Sequence, residues 1–227
     1  MNHTTENSGK AGGLVIEVIG PLVDDRDLMA RTYADLLAGE GVVLRPGAID
    51  QVAGASIDWA LRTLLEGHGR FDLIEQIPAL ERRVVREWEG FFASGLLRLA
   101  PRTEAAWAQI LGSGAPVLLL FVGEPHLIPR LFSGLGLGLG GQVVVGGSGA
   151  RGLPYPDVIT AWLATNALPV ASVRAAIRSP AAALGTGGAA LGEICLIREA
   201  GPETGMLPID ATVATIAAFM DRLTTQD

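Results

Sequence analysis

Leu14-Val15-Ile16-Glu17-Val18-Ile19-Gly20-Pro21-Leu22-Val23-Asp24 is the stretch on which the fold turns. Leu14 to Ile19 is a short, β-branched apolar run of the kind that forms a strand buried on both faces. Gly20-Pro21 breaks it. From Asp25 to Gly39 the apolar residues Leu28, Met29, Tyr33, Leu36 and Leu37 recur at helical spacing, and Gly39 to Gly41 ends the helix. Helical patterns continue through Pro46 to Leu65 and Phe71 to Phe92, and Val43 to Arg98 carries no strand signal.

Beyond this block the pattern alternates. Arg102 to Leu111, Leu127 to Leu135, Pro156 to Ala167 and Val213 to Leu223 have helical spacing. Val117 to Val122, Gln142 to Val145, Val173 to Ile177 and Glu193 to Ile197 are strand-like. Strands alternating with helices imply an α/β fold with a parallel sheet and crossover connections. A helical block inserted after the first strand implies a cap on that sheet. The expected organisation is a tail over 1–13, a core made of 14–26 with 98–227, and a helical cap over 27–97.

Composition narrows the function. Of 227 residues 49% are hydrophobic and 18% charged, enough for a packed core. Mean hydropathy is +0.37, yet the longest strongly apolar run, Ala115 to Gly123, is far short of the ~20 residues of a bilayer-spanning helix. With no apolar leader at the start, a cytoplasmic location is expected. A net charge of -7 without a basic stripe disfavours nucleic acid. Lys10 is the only lysine, so no folded site within 14–227 can use one. Cys195, the single cysteine, sits in an apolar run and is expected to be a buried structural thiol. Neither His68 nor His126 has a companion at metal-ligand spacing. Ser56, Ser179 and Thr186 lack a neighbouring histidine or nucleophile elbow. Gly134 to Gly141 follows a helix and precedes a strand, the reverse of a phosphate loop, and is expected to be a connection, as is Gly146 to Gly152.

Four short segments then fall in a telling order. The first is Glu17 to Asp24. The second is Leu120-Phe121-Val122-Gly123-Glu124-Pro125, at a strand end. The third is Leu153-Pro154-Tyr155-Pro156-Asp157, at a helix start. The fourth is Ile177-Arg178-Ser179-Pro180, after a strand. In this order the chain resembles the haloacid dehalogenase-like superfamily with a helical cap, over roughly 14–225. That family opens on DxDGTLxD, follows with a strand ending in Ser or Thr, then Lys-Pro-x-Pro-Asp, then an acidic pair. The resemblance implies a Rossmann-like core with an inserted all-helical cap. It also implies an aspartate nucleophile, a second aspartate as acid and base, a hydroxyl and lysine clamp for phosphate, and carboxylates for magnesium.

Gly20, Leu22 and Asp24 fit the first motif and Pro154, Pro156 and Asp157 the third. The chemical positions do not fit. Glu17 stands for the nucleophile, Ile19 for the acid/base, Val122 for the hydroxyl, Leu153 for the lysine and Arg178 for a metal-binding carboxylate. Phosphoryl transfer is positioning plus charge neutralisation, and magnesium requires hard oxygen ligands. The expectation is therefore a non-catalytic member that acts by binding, with no cofactor and no magnesium site. Its ligand pocket would lie between cap and core, built from Glu17, Ile19, Gly20, Val122, Gly123, Arg151, Leu153, Arg178 and the cap residue Trp59, open to a small molecule or a protein partner. The alternatives are an active phosphatase- or dehalogenase-type hydrolase using Glu17 or Asp24, and a structural homodimer formed through the cap helices. Asp24 and Asp25 are expected to cap a helix, and Trp88 and Trp162 to pack in cores. Glu17 is expected to pair with the Arg178 guanidinium, with Arg151 as the alternative partner.

Overall fold

A computed structural model describes residues 12–146, 151–197 and 209–225. The tail and the loop expected over Gly146 to Gly152 therefore fall largely outside the described residues.

The first strand, β1 (Gly13–Glu17), leads through β2 (Val23–Asp24) into α1 (Leu28–Gly39), α2 (Ala48–Val52), α3 (Ile57–Gly67), a 3-10 segment (Phe71–Gln76) and α4 (Ile77–Ser94). The chain returns through β3 (Arg98–Leu99) and continues as α5 (Thr103–Gly112), β4 (Val117–Leu120), α6 (Leu127–Gly134), β5 (Val143–Gly146) and α7 (Asp157–Thr165). Then come β6 (Val173–Ile177), α8 (Pro180–Gly188), β7 (Glu193–Ile197), β8 (Ala211–Val213) and α9 (Ile216–Thr225). The sheet order is β5-β4-β1-β6-β7-β8, and every pairing in it is parallel.

Strand periodicity decides which layer each side chain joins. On β1, Leu14 and Ile16 face the layer holding Trp107, Phe132 and Phe219 from α5, α6 and α9. Val15 faces the opposite layer, with Ile159 and Trp162 of α7 and Ala182 of α8. Val117 and Leu119 alternate with Leu118 and Leu120 in the same sense. The core on the α7–α8 side runs on into the helical cap through Leu37, Leu61, Val84 and Trp88.

Four local expectations need correcting. Pro46 to Leu65 is two helices parted at Ala53 to Ser56, because Gly54 takes a left-handed φ of +73°. Val23–Asp24 and Arg98–Leu99 form a two-stranded antiparallel ribbon where the chain leaves and re-enters the core. Too short to carry periodicity, it left no strand pattern. The closing helix starts at Ile216, and Ala211–Val213 before it is an edge strand. An Ala- and Gly-rich helix, α8, occupies 180–188 where no element was expected.

Candidate functional site

Glu17 ends β1, between β4 and β6, where the doubly wound topology opens a crevice at the carboxyl ends of the strands. Its side chain is 5% exposed. Oε2 accepts hydrogen bonds from two backbone amides, Arg178 N–H at 2.6 Å and Ser179 N–H at 2.9 Å. Those amides stand at the start of α8, where Ser179 is the N-cap and its hydroxyl accepts from Ala182 N–H at 3.2 Å. A helix N-terminus favours a carboxylate, but burial wins: desolvation pushes the Glu17 carboxyl above its usual range. Ser179 and the two amides pull it back only in part, and the Arg178 charge contributes least.

The expected pairing of Glu17 with the Arg178 guanidinium is thereby corrected. Arg178 holds Glu17 through its main chain. Its side chain runs across Gly20, where a Cβ would stand 2.9 Å from Arg178 Cβ, and is exposed. Gly20 has φ +99°, so glycine is required there for conformation and for space. Arg151 is not the substitute partner either. It makes a bidentate pair with Asp157, at 2.9 and 3.2 Å, and lies over the Tyr155 ring.

The cap closes directly on this point. A Cβ at Gly54 would stand 2.8 Å from Glu17 Oε1 and would overlap the Ser179 side chain. Two residues on, Ser56 N–H donates to the Leu153 carbonyl at 2.8 Å, and its side chain fills the space a Cβ on Gly152 would need. The α2–α3 turn is thus seated on Glu17, Ser179 and the Gly152-Leu153 segment together.

Two adjoining cavities remain in the crevice and share Leu120, Phe121 and Val122. The larger, about 370 Å³, takes in Glu17, Ile19, Gly20 and Arg178 from the expected set. The smaller, about 160 Å³, takes in Gly123 and Leu153. Val122 borders both. Arg151 and Trp59 border neither: Trp59 is half-buried against the cap core, and Trp88 is the tryptophan on the larger cavity. Gly54, Tyr33, Trp88 and Ser179 went unrecognised as site residues. The small-residue run Ala53-Gly54-Ala55-Ser56 between two helices was the available signal of a close approach.

The remaining candidates are structural. Asp25 accepts from Met29 N–H at 3.1 Å and Asp27 N–H at 3.3 Å at the start of α1 as expected, whereas Asp24 belongs to β2, accepts from Arg26 N–H at 2.9 Å and does not cap the helix, whose N-cap residue is Asp27. His68 bridges two segments, accepting from Arg45 N–H at 3.0 Å and bonded to the Leu64 carbonyl at 2.7 Å. Burial, with Glu193 beside it, pushes the Cys195 thiol up to about 12. Magnesium does not fit this donor set. Glu17 Oε2 is held by two amides and the Asp25 carboxylate by two more, while Ile19, Ile177 and Arg178 offer no side-chain oxygen. Among the described residues no group of three His, Cys, Asp or Glu is placed to hold a metal. Nor is any described helix long and apolar enough to cross a membrane.

No protein-family model matches the chain, and no curated protein is significantly similar in sequence. Solved structures are similar in shape. A hydrolase from Pseudomonas syringae superposes with a TM-score of 0.79 at 14% identity, covering 94% of this chain and 98% of that one. A haloacid dehalogenase-like family protein from Streptococcus pneumoniae gives 0.70 at 15%, covering 93% and 97%. CbbY from Rhodobacter sphaeroides, solved with phosphate, gives 0.70 at 14%, covering 92% and 96%. With its parallel sheet and inserted helical cap, the chain has the haloacid dehalogenase-like fold.

Proposed function

We propose that this chain is a non-catalytic binding or regulatory protein built on a hydrolase fold. The observation that carries this reading is the enclosure of Glu17. A nucleophilic carboxylate needs one oxygen free to approach an electrophile in line. Here one oxygen is held by two amides and the other lies against Gly54. Ile19 cannot carry a proton, and the side chains of Val122 and Leu153 offer a phosphate no donor. CbbY was solved with phosphate; in this chain the amides best suited to an anion are already used by Glu17. The homodimer alternative gains nothing from the cap surface. Of the exposed large apolar residues there, Val43 lies in the α1–α2 connection and Phe71 and Leu96 lie beyond opposite ends of α4, with charged residues such as Arg82, Arg86 and Glu89 exposed along that helix.

The expected result with phenyl phosphate and magnesium is no turnover above a Glu17→Ala control. Turnover that the control loses would overturn the reading and restore an active hydrolase.

A second expectation concerns the charge of Glu17. Its folded-state pKa lies above the ordinary value of 4.5, so the native state binds its proton more tightly than the unfolded chain does. The Glu17 contribution is therefore most favourable below that ordinary value. It is lost as pH rises through the raised folded pKa. Glu17→Gln keeps an oxygen for the two amides and removes the charge. It should stabilise the protein at pH 7 and flatten the pH dependence of denaturant melts. Arg178→Met should leave that dependence nearly intact, because the amide and not the guanidinium makes the contact. Destabilisation by Glu17→Gln at neutral pH would show an ionised, well-held carboxylate instead.

A further inference from the structure

We propose that the chain forms a two-fold dimer through the outer edge of β5, strand against antiparallel strand, with Val144 facing its own copy across the axis. The interface lies on the core rather than the cap, and it does not depend on the non-catalytic reading.

β5 is an edge strand, and among the described residues nothing pairs with its outer side. In a parallel ladder alternate residues of a strand turn their N–H and C=O to a given neighbour. Val117 N–H of β4 donates to the Gln142 carbonyl at 3.0 Å, and Val117 is in register with Val143. Gln142, Val144 and Gly146 therefore serve β4, while Val143 and Val145 turn their main-chain groups outward. The Val143 N–H is taken by the Gly140 carbonyl at 3.1 Å. The Val143 carbonyl and the Val145 N–H are left, one on each side of Val144. A strand that fits must answer them with a donor and an acceptor, spaced the same way and running in the opposite sense. A second β5 does so. With the two-fold axis at Val144, each Val145 N–H donates to the Val143 carbonyl of the other copy. Two reciprocal bonds then flank a non-hydrogen-bonded pair, the ordinary antiparallel arrangement.

The side chains agree with the main chain. Val144 is 49% exposed, whereas every residue of β4 beside it is buried. At the axis its Cβ would stand about 4.5–5.5 Å from that of its copy, and each valine would cover the other. Exposed edges are usually guarded by charge or proline, yet residues 131–150 contain neither. The opposite edge, β8, is different: Thr212 is its exposed residue and the exposed Asp210 stands just before it. Helix α7 covers the same face of the sheet as Val144, with Val158 in the space a Cβ on Gly146 would need. Residues 158–173 are likewise without charge. A chain of net charge -7 repels its own copy, so contact is favoured where charge is missing. An uncharged strand gives a foreign partner little by which to be selected, while two-fold symmetry supplies its own copy with complementary groups in register. Gly146, next along the strand, borders the smaller cavity, which places the contact beside the crevice.

Sedimentation velocity on the full chain, from one to several hundred micromolar, tests this. A reversible equilibrium is expected, its heavier species having twice the 23.6 kDa of the chain. Val144→Lys sets two ammonium groups opposite one another and should weaken association at least tenfold. The melting temperature should change little, since the side chain is half-exposed. Thr212→Lys, on the other edge, should leave association unchanged. Val144→Cys tests the register, because Cα atoms of a non-hydrogen-bonded pair stand about 4.5 Å apart, within disulfide reach. Mild oxidation should link this variant into a dimer much faster than Thr212→Cys, and Cys195 is buried and does not compete. A monomer at every concentration, which is also what another segment of the chain lying on β5 would give, would overturn the proposal. So would a Val144→Lys dimer as strong as the parent's, or Val144→Cys cross-linking no faster than Thr212→Cys.

Discussion

Gly54→Ala should lower stability by about 2–4 kcal/mol, combining a left-handed backbone cost with overpacking. The backbone at Gly54 has φ +73°, and the new methyl would meet Ser179 and Glu17, which are 7% and 5% exposed. Neither neighbour can swing aside. Ser179 caps α8, and Glu17 is held by two amides. The α2–α3 turn must therefore lift from the core. Gly69 provides the control, since it has φ +70° and a Cβ added there would meet nothing within 4 Å. Gly69→Ala should cost only the backbone part, about 1 kcal/mol. The difference between the two denaturant midpoints isolates the seating of the cap. Hydrogen exchange should rise in 48–57 of Gly54→Ala and not in α5 or α9. Equal losses for the two variants would mean that the turn is not seated on Glu17 and Ser179.

Glu193→Ala should cost about 2–3 kcal/mol, somewhat below the usual ~3–5 for breaking a buried ion pair. Glu193 is buried at the start of β7. It accepts from Arg222 of α9 at 2.6 Å and pairs with Arg174 of β6 at 3.2 Å, fastening the closing helix to the sheet. The reduction reflects the two arginines, 27% and 40% exposed, which can turn to water when the carboxylate is gone. In a double-mutant cycle, Glu193→Ala with Arg222→Ala should lose less than the sum of the single losses. Additivity would remove the Glu193–Arg222 link as a contributor.

The sheet was legible because β1 and β4 are continuous apolar runs that only a doubly covered parallel strand can bury. The site was legible in position, since Glu17, Val122, Leu153 and Arg178 all reach the crevice. What the sequence could not convey was which atom makes a contact. Arginine suggests its guanidinium, whereas the main-chain amide of Arg178 does the holding, as any residue's would. Helix α8 was invisible for a related reason. Ala181, Ala182, Ala183 and Gly185 are all buried, so no polar stripe marks a 3.6-residue period. Trp59 and Trp88 both sit in amphipathic cap helices. Which of them reaches the cavity depends on how those helices are placed over the sheet, and helical periodicity does not specify that.

Glu17 has one more consequence. Its carboxyl is a ligand supplied by the chain to its own helix N-terminus, so any anion from solution must compete with an intramolecular rival. A group fixed in place has an effective concentration above the millimolar values typical of short flexible tethers. On the non-catalytic reading, free phosphate at ordinary concentrations should lose that competition without any change in shape, and no regulator would be needed to keep the site shut to anions.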